Sequence, residues 1–256
     1  MAYIAPKKSL GQHFLADPNI ARKILAYLKT DKSRHVVEIG PGTGILTGLL
    51  LEQKDLSSYF IEFDRESVDY LKEKFPDAQD RIIHEDFLKF NLKDYFDSKI
   101  SLIGNLPYNI SSQIFFRVLD HADQVEEMVC MIQKEVAQRI TAPPGSKTYG
   151  ILSVLLQAFY HIDYLFTVKP NVFIPPTKVN SAVIRLERNT TRDLGCDYQM
   201  FFQVVKRAFQ QRRKTLKNSL SAFLNRKEDL PPNFSQRPEQ LSVQEFVYLT
   251  DWITRQ

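Results

Sequence analysis

Cysteine is nearly absent from this chain of 256 residues: Cys130 and Cys196 are the only two, and they lie far apart. That argues against a disulfide framework, supplies no cysteine-based metal-ligand spacing, and points to a reducing, cytoplasmic compartment. Long hydrophobic runs are missing as well. No stretch reaches membrane-spanning length, and Met1 to Leu15 holds Lys7, Lys8 and His13 without the apolar run of a signal peptide. Repeats and low-complexity segments are absent, which leaves one large domain or a medium one with a small one. The phosphate-binding pattern G-x-x-x-x-G-K-S/T does not occur, and a dinucleotide fingerprint is broken where Ile45 stands in place of its last glycine. A net charge of +4 is too small to argue for nucleic acid by itself. What is present in quantity is hydrophobic residues, 43%, enough for a packed core.

Their order predicts an α/β fold. His35–Ile39, Ser58–Glu62, Arg81–His84, Ile100–Ile103, Met128–Ile132, Tyr164–Val168 and Ser181–Leu186 read as strands. Between them run helical patterns: Ile20, Ile24, Leu25 and Leu28 after the cap Asp17-Pro18, then Ile45 to Leu51, Val68 with Leu71 and Phe75, and Ile114 to Leu119. Alternation of this kind predicts a parallel, doubly wound sheet with its ligand crevice at the strands' carboxyl ends.

Four candidates fall at such ends. The first strand runs into Gly40-Pro41-Gly42-Thr43-Gly44, an acidic-x-Gly-x-Gly-x-Gly turn that lets backbone approach a ligand and suits an amino-acid zwitterion. Glu62 ends the second strand about twenty positions past the glycines, where a carboxylate grips a ribose diol. Asp86 ends the third, beside Phe87, placed to bond and pack an adenine. The fourth leads into Gly104-Asn105-Leu106-Pro107-Tyr108. There the Asn105 amide oxygen and the Leu106 carbonyl can accept from one amine, Pro107 stiffens the turn, and Tyr108 offers a stacking face. The stiff loop around Pro175 and Pro176 presents Phe173 as a second aromatic wall, and residues 7–15 form a basic lead that either folds over a ligand or frays.

After Glu187 the pattern changes. A polar link, 189–193, precedes Phe201, Phe202, Val205, Ala208 and Phe209 at helical spacing, and residues 210–224 read as a second helix. Lys206, Arg207, Arg212, Arg213, Lys214, Lys217, Arg226 and Lys227 follow one another without an Asp or Glu, the footprint expected for a phosphate backbone. Val243 to Ile253 supplies one more amphipathic helix. The expected domains are 1–188 for catalysis and 189–256 for RNA.

With these residues in view, the chain resembles the ribosomal RNA adenine dimethyltransferases, in the branch acting on small-subunit RNA. The likeness rests on S-L-G-Q-H-F-L at 9–15, V-E-I-G-P-G-T-G at 37–44, E-x-D at 62–64 and E-D at 85–86. It continues through N-L-P-Y-N-I-S at 105–111, Q-K-E-V at 133–136, S-A-V-I-R-L at 181–186 and R-R-K-T-L-K-N-S-L at 212–220. The resemblance implies a class I methyltransferase fold, Rossmann-like with a seven-stranded sheet, followed by a small α-helical domain. It implies S-adenosyl-L-methionine as cofactor, with His13, Leu15, Gly40, Gly42, Glu62, Asp86 and Asn105 at its pocket. Asn105, Leu106, Pro107, Tyr108 and Phe173 would serve the target adenine, and Arg212, Arg213, Lys214 and Lys217 the RNA. No metal is implied. The implied partner is small-subunit rRNA in an immature subunit, met by a cytoplasmic monomer without membrane attachment.

Two positions depart from the family pattern: His13 stands where better-known bacterial members have Asn, and Thr177 replaces a proline of F-x-P-x-P-K-V. N-L-P-Y rather than N-I-P-Y weighs against the large-subunit methyltransferases of macrolide resistance. A DNA adenine methyltransferase would more often read [D/N]-P-P-Y and carry a target-recognition domain, which is not found. An RNA-binding assembly factor with incidental methyl transfer is the alternative from another class.

Overall fold

The computed structural model of the chain describes residues 4–29, 33–191, 193–225 and 230–256. Arg192 of the expected polar link, and Arg226 and Lys227 of the basic run, lie outside the described residues. The chain divides into two units, residues 1–137 with 162–188, and residues 138–161 with 189–256. The sequence reading draws one boundary at 188/189; this grouping also assigns 138–161 to the C-terminal unit.

Nine strands form among the described residues: β1 (Phe14–Leu15), β2 (His35–Ile39), β3 (Ser57–Glu62), β4 (Ile82–His84), β5 (Ile100–Asn105), β6 (Val125–Gln133), β7 (Tyr160–Val168), β8 (Phe173–Ile174) and β9 (Ser181–Arg188). Seven make one sheet in the order β4-β3-β2-β5-β6-β9-β7, and these are the seven runs read from the sequence. Pairing is parallel from β4 to β6, and β9 is antiparallel to β6. Val36, Val37 and Ile39 of β2 are all buried, as a central parallel strand covered on both faces requires.

From β2 the chain winds outward to β3 and β4, then returns past β2 to β5. The winding reverses between β2 and β5, so Gly40 after one and Asn105 at the tip of the other border the same crevice. The two strands approach closely there. A Cβ added at Gly104 would lie 2.6 Å from the Ile39 carbonyl oxygen, which leaves glycine as the residue that fits.

Helices α1 (Pro18–Ala26), α2 (Ile45–Leu51), α3 (Arg65–Lys74), α4 (Leu92–Tyr95), α5 (Ser111–Asp120) and α6 (Lys134–Ile140) accompany the strands. Asp17 caps α1 by accepting from the N–H groups of Asn19 and Ile20, with Pro18 at the first helical position. Ile24 of α1 and Leu46 and Leu50 of α2 join Val36, Phe60 and Ile103 in one core cluster. A second, two-stranded sheet pairs β1 with β8, and nothing in the local pattern announces it.

The second unit is helical: α7 (Ile151–Phe159), α8 (Tyr198–Gln210), α9 (Leu216–Ser219) and α10 (Val243–Thr254). Phe201, Val204, Val205 and Ala208 form the buried face of α8. Phe209 meets both Tyr149 and Phe246, with ring centroids 6.1 and 5.9 Å apart. A Ser242–Glu245 capping box starts α10. The second basic helix expected over 210–224 does not form: α8 stops at Gln210, and only the four residues of α9 and a 3-10 turn at Ser221–Phe223 follow. A continuous helix would set Arg213 beside Lys217 at i,i+4, an unfavourable like-charge pair. The Leu216 N–H is instead drawn to the Gln236 carbonyl at 2.8 Å. No helix among the described residues is long and apolar enough to cross a membrane.

One buried acid in β2 has a thermodynamic consequence. Glu38 is 2% exposed and accepts a 2.7 Å bond from Thr47 Oγ1. Burial pushes its carboxyl up from 4.5 to about 8, with the nearby Glu62 adding to the rise and the Thr47 bond opposing it. An acid raised in this way stabilises the fold below its unfolded pKa, and that contribution is lost as pH climbs through the folded value. Two outcomes are expected. Glu38→Gln keeps an acceptor for Thr47, so between about pH 5 and about pH 8 its thermal midpoint falls less than that of the natural protein. Gly104→Ala forces β2 and β5 apart and lowers stability by about 1–3 kcal/mol, read from the urea midpoint.

Candidate active site

The crevice at the switch point is a cavity lined by the glycine loop, by Glu62 and Phe63, by residues 85–88 and 105–110, and by residues 10–14 of the N-terminal arm. Of the residues singled out from the sequence, it brings together His13, Gly40, Gly42, Glu62, Asp86, Asn105, Leu106, Pro107 and Tyr108.

Asn105 sits at the last position of β5. Its Nδ2 donates to the His13 carbonyl at 2.8 Å. That bond fixes the amide plane and leaves Oδ1 without a hydrogen-bond partner among the described residues. Leu106 N–H is taken by the Met131 carbonyl at 3.0 Å, which holds the turn to β6. The Tyr108 hydroxyl is 2.5 Å from Ser181 Oγ, and the His13 imidazole lies over its ring, centroids 5.8 Å apart and planes at 30°. His13 Nδ1 is 2.9 Å from the Pro175 carbonyl. Because a carbonyl only accepts, this nitrogen carries the hydrogen.

Glu62 is buried and both its oxygens are engaged: Oε2 accepts from Gly42 N–H at 3.0 Å and Oε1 from Asp64 N–H at 2.9 Å. Burial raises its pKa, and those two backbone donors oppose the rise. Each oxygen keeps a second lone pair for a ligand hydroxyl. Asp86 Oδ1 accepts from Leu88 N–H at 3.0 Å, and its second oxygen has no bond of this kind among the described residues.

Two glycines permit the close approaches. At Gly42, with φ of +55°, a Cβ would come within 2.8 Å of the Phe14 ring. At Gly40, with φ of +66°, a Cβ would touch nothing within 4 Å and would instead project into free space. A loop that spares a side chain where no protein atom competes for the room fits a small ligand seated against backbone.

The arm is stitched down as a roof. Lys7 Nζ reaches Asp64 at 2.6 Å and Glu66 at 3.1 Å, and the Lys7 N–H donates to Gln12 Oε1 at 2.9 Å. Burial pushes the Asp64 carboxyl up, but the Lys7 bond and charge together with the bonds from Ser67 and Gln12 outweigh it and leave the group below its ordinary value. The β1–β8 pairing and an Ala16 N–H bond to the Val172 carbonyl at 2.8 Å complete the seam.

Two expected residues are not in the crevice. Phe173, read as a second aromatic wall beside Tyr108, is 2% exposed and belongs to the core cluster. Leu15 is its partner in register and is buried in the same cluster. Alternation explains both: in the paired strands Leu15 and Phe173 turn inward while Phe14 faces the cavity and Ile174 faces water. Arg212, Arg213, Lys214 and Lys217 lie in the second unit. Sequence reasoning missed Phe63, which is 58% exposed at the cavity wall; its signal was an apolar residue between the two acids of E-x-D. It also missed Lys7 and Gln12 as the pins of the arm.

Comparison with known proteins accords with this geometry. The family model for ribosomal RNA adenine dimethylase matches residues 5–254. A Parabacteroides distasonis protein named ribosomal RNA small subunit methyltransferase A is 56% identical over 255 residues, 98% of this chain and 94% of that one. A protein of the same name from Cytophaga hutchinsonii is 52% identical, covering 99% of each chain. Among solved structures, a dimethyladenosine transferase from Plasmodium falciparum aligns with a TM-score of 0.76 at 24% identity, over 93% of this chain and 96% of that one. The 23S rRNA methyltransferase ErmE aligns at 0.68 and 22%, over 93% and 99%. These two share the fold, a class I methyltransferase sheet followed by helices. With a family model spanning almost every residue and relatives more than half identical from end to end, the chain belongs to the ribosomal RNA adenine dimethylase family.

Proposed function

We propose that this enzyme adds two methyl groups to N6 of each of two adjacent adenines in the 3′-terminal hairpin of small-subunit rRNA. It acts during subunit biogenesis, as a cytoplasmic monomer on the immature subunit, with S-adenosyl-L-methionine as donor. The observation that carries the reading is the Asn105 amide, whose oxygen is left as a bare acceptor because its nitrogen is held by His13.

The residues present suit that cofactor. The space in front of Gly40 admits an amino-acid moiety against backbone, the free lone pairs of Glu62 take a ribose diol, and Asp86 with the exposed Phe63 bonds and covers an adenine. Bound there, S-adenosyl-L-methionine supplies an electrophilic sulfonium methyl.

The protein's task is to make a poor nucleophile attack. An adenine amine shares its lone pair with the ring. Asn105 Oδ1 and the Leu106 carbonyl, accepting its two hydrogens, draw them out of the ring plane and free the pair. Holding both reactants at one strand tip removes the entropic part of the barrier. Tyr108, fixed by Ser181, stacks a base that has left its helix. No side-chain base is required, since the methylated nitrogen in its protonated form loses the proton to water. The monomethylated amine still has one N–H for one of the two acceptors.

The basic residues of the second unit suit a phosphate backbone. Arg213, Lys214 and Lys217 are exposed, whereas Arg212 is partly engaged by the Ser146 carbonyl at 3.3 Å and by Glu239 at 3.6 Å.

Asn105→Ala is expected to lower the methylation rate by about 10²- to 10³-fold while leaving association with immature subunits intact. Mass spectrometry of the rRNA and a sedimentation assay read the two effects, and normal dimethyladenosine from the variant would overturn the assignment. Replacing Arg213, Lys214 and Lys217 by Gln is expected to flatten the log–log salt dependence of RNA binding by about 2–3 in slope. An unaltered slope would remove these residues from the interface.

A further inference from the structure

Ile174 and Val179 are 52% and 47% exposed, yet they sit on one short loop that the rest of the unit holds firmly. Ile174 is paired with Phe14 across the small sheet. Thr177 is buried, and its Oγ1 donates to the Val179 carbonyl at 2.7 Å, closing the turn where the family pattern has a proline. Lys134 N–H donates to the Asn180 carbonyl at 3.0 Å. Apolar side chains held out to water on a tethered loop mark a contact surface rather than a frayed edge.

The loop is continuous with the crevice at both ends. His13, which covers Tyr108, bonds the Pro175 carbonyl, and Ser181, one residue past the loop, bonds the Tyr108 hydroxyl. Between Tyr164 and Leu186 there is no Asp or Glu, and the loop's own charge is the exposed Lys178. Apolar faces beside one cation suit unpaired nucleotides, whose bases are flat and whose backbone is anionic.

We propose that residues 174–179 are a platform for the unpaired nucleotides flanking the target adenines, with bases lying on Ile174 and Val179 and a phosphate meeting Lys178. This rests on the reading of the Tyr108 crevice as the adenine site. The partner is single-stranded RNA next to the modified base.

The test compares the full-length protein with an Ile174→Ser/Val179→Ser variant, in binding to two single-stranded RNA oligonucleotides. Both carry adjacent adenines; one has ordinary flanking nucleotides and the other has abasic ones. The natural protein is expected to prefer the ordinary flanks by roughly five- to tenfold, and the variant to bind both alike. Lys178→Gln is expected to weaken both equally and to flatten the salt dependence, and it serves alone should the double variant not fold. A natural protein indifferent to the flanks, or a variant that keeps the preference, would overturn the proposal. A variant that keeps the preference yet loses the immature subunit would place a ribosomal protein on the loop, and overturns it too. Failure of the adenine reading is recognised separately, as natural protein that leaves adenines of the subunit unmethylated.

Discussion

An asparagine amide has one nitrogen and one oxygen, and at Asn105 the nitrogen is committed. Its 2.8 Å bond to the His13 carbonyl sets which end of the amide remains for a ligand. Much of the first unit serves that orientation. Parallel pairing with β2 and β6 fixes where β5 ends, and the missing side chain at Gly104 lets β5 lie close to the Ile39 carbonyl. The Leu106–Met131 bond then starts the turn that carries Tyr108. The arm supplies the carbonyl and is itself held from several sides, so the acceptor is aimed before any substrate arrives. An acceptor fixed in this way needs no reorganisation when a donor reaches it.

The acids at the end of β3 are structural parts of the crevice. A buried carboxylate without partners is costly. Glu62 avoids that by receiving the N–H groups of Gly42 and Asp64, which ties the glycine loop to the end of β3. Asp64 in turn holds Lys7, and through Lys7 the root of the arm. The roof over the crevice and its floor are therefore linked through Glu62 and Asp64, the two acids of one motif. Removing either carboxylate disturbs the shape of the site as well as its charge.

Local pattern sufficed for what is local. Each strand of the large sheet announces itself as an apolar run, and Glu62, Asp86 and Asn105 stand at the ends of those runs, where a doubly wound sheet places its ligands. The small sheet is different, because Leu15 and Phe173 are separated by most of the first unit and their pairing follows from tertiary packing alone. Without that pairing Phe173 looks like an aromatic offered by a stiff loop; with it, alternation turns the ring into the core. The basic segment misled for the opposite reason. Helical spacing continues past Gln210 on paper, but a continuous helix would set Arg213 beside Lys217, and the chain instead turns at Gln211–Lys214 before α9 begins at Leu216.

His13 shows how a departure from a family pattern can be absorbed. What holds Asn105 is the backbone carbonyl of position 13, which asparagine and histidine supply equally. The side chain is thereby free for other work, and here the imidazole covers Tyr108 and donates to Pro175. An asparagine has no ring to lay on the phenol. The covered face cannot at the same time receive a base, since the two rings are already 5.8 Å apart. A base using that face must move the imidazole and break the Pro175 bond, whereas a base on the other face leaves both in place. The arm and the 174–179 loop are thus coupled through the His13–Pro175 bond, and displacing the imidazole from Tyr108 disturbs both.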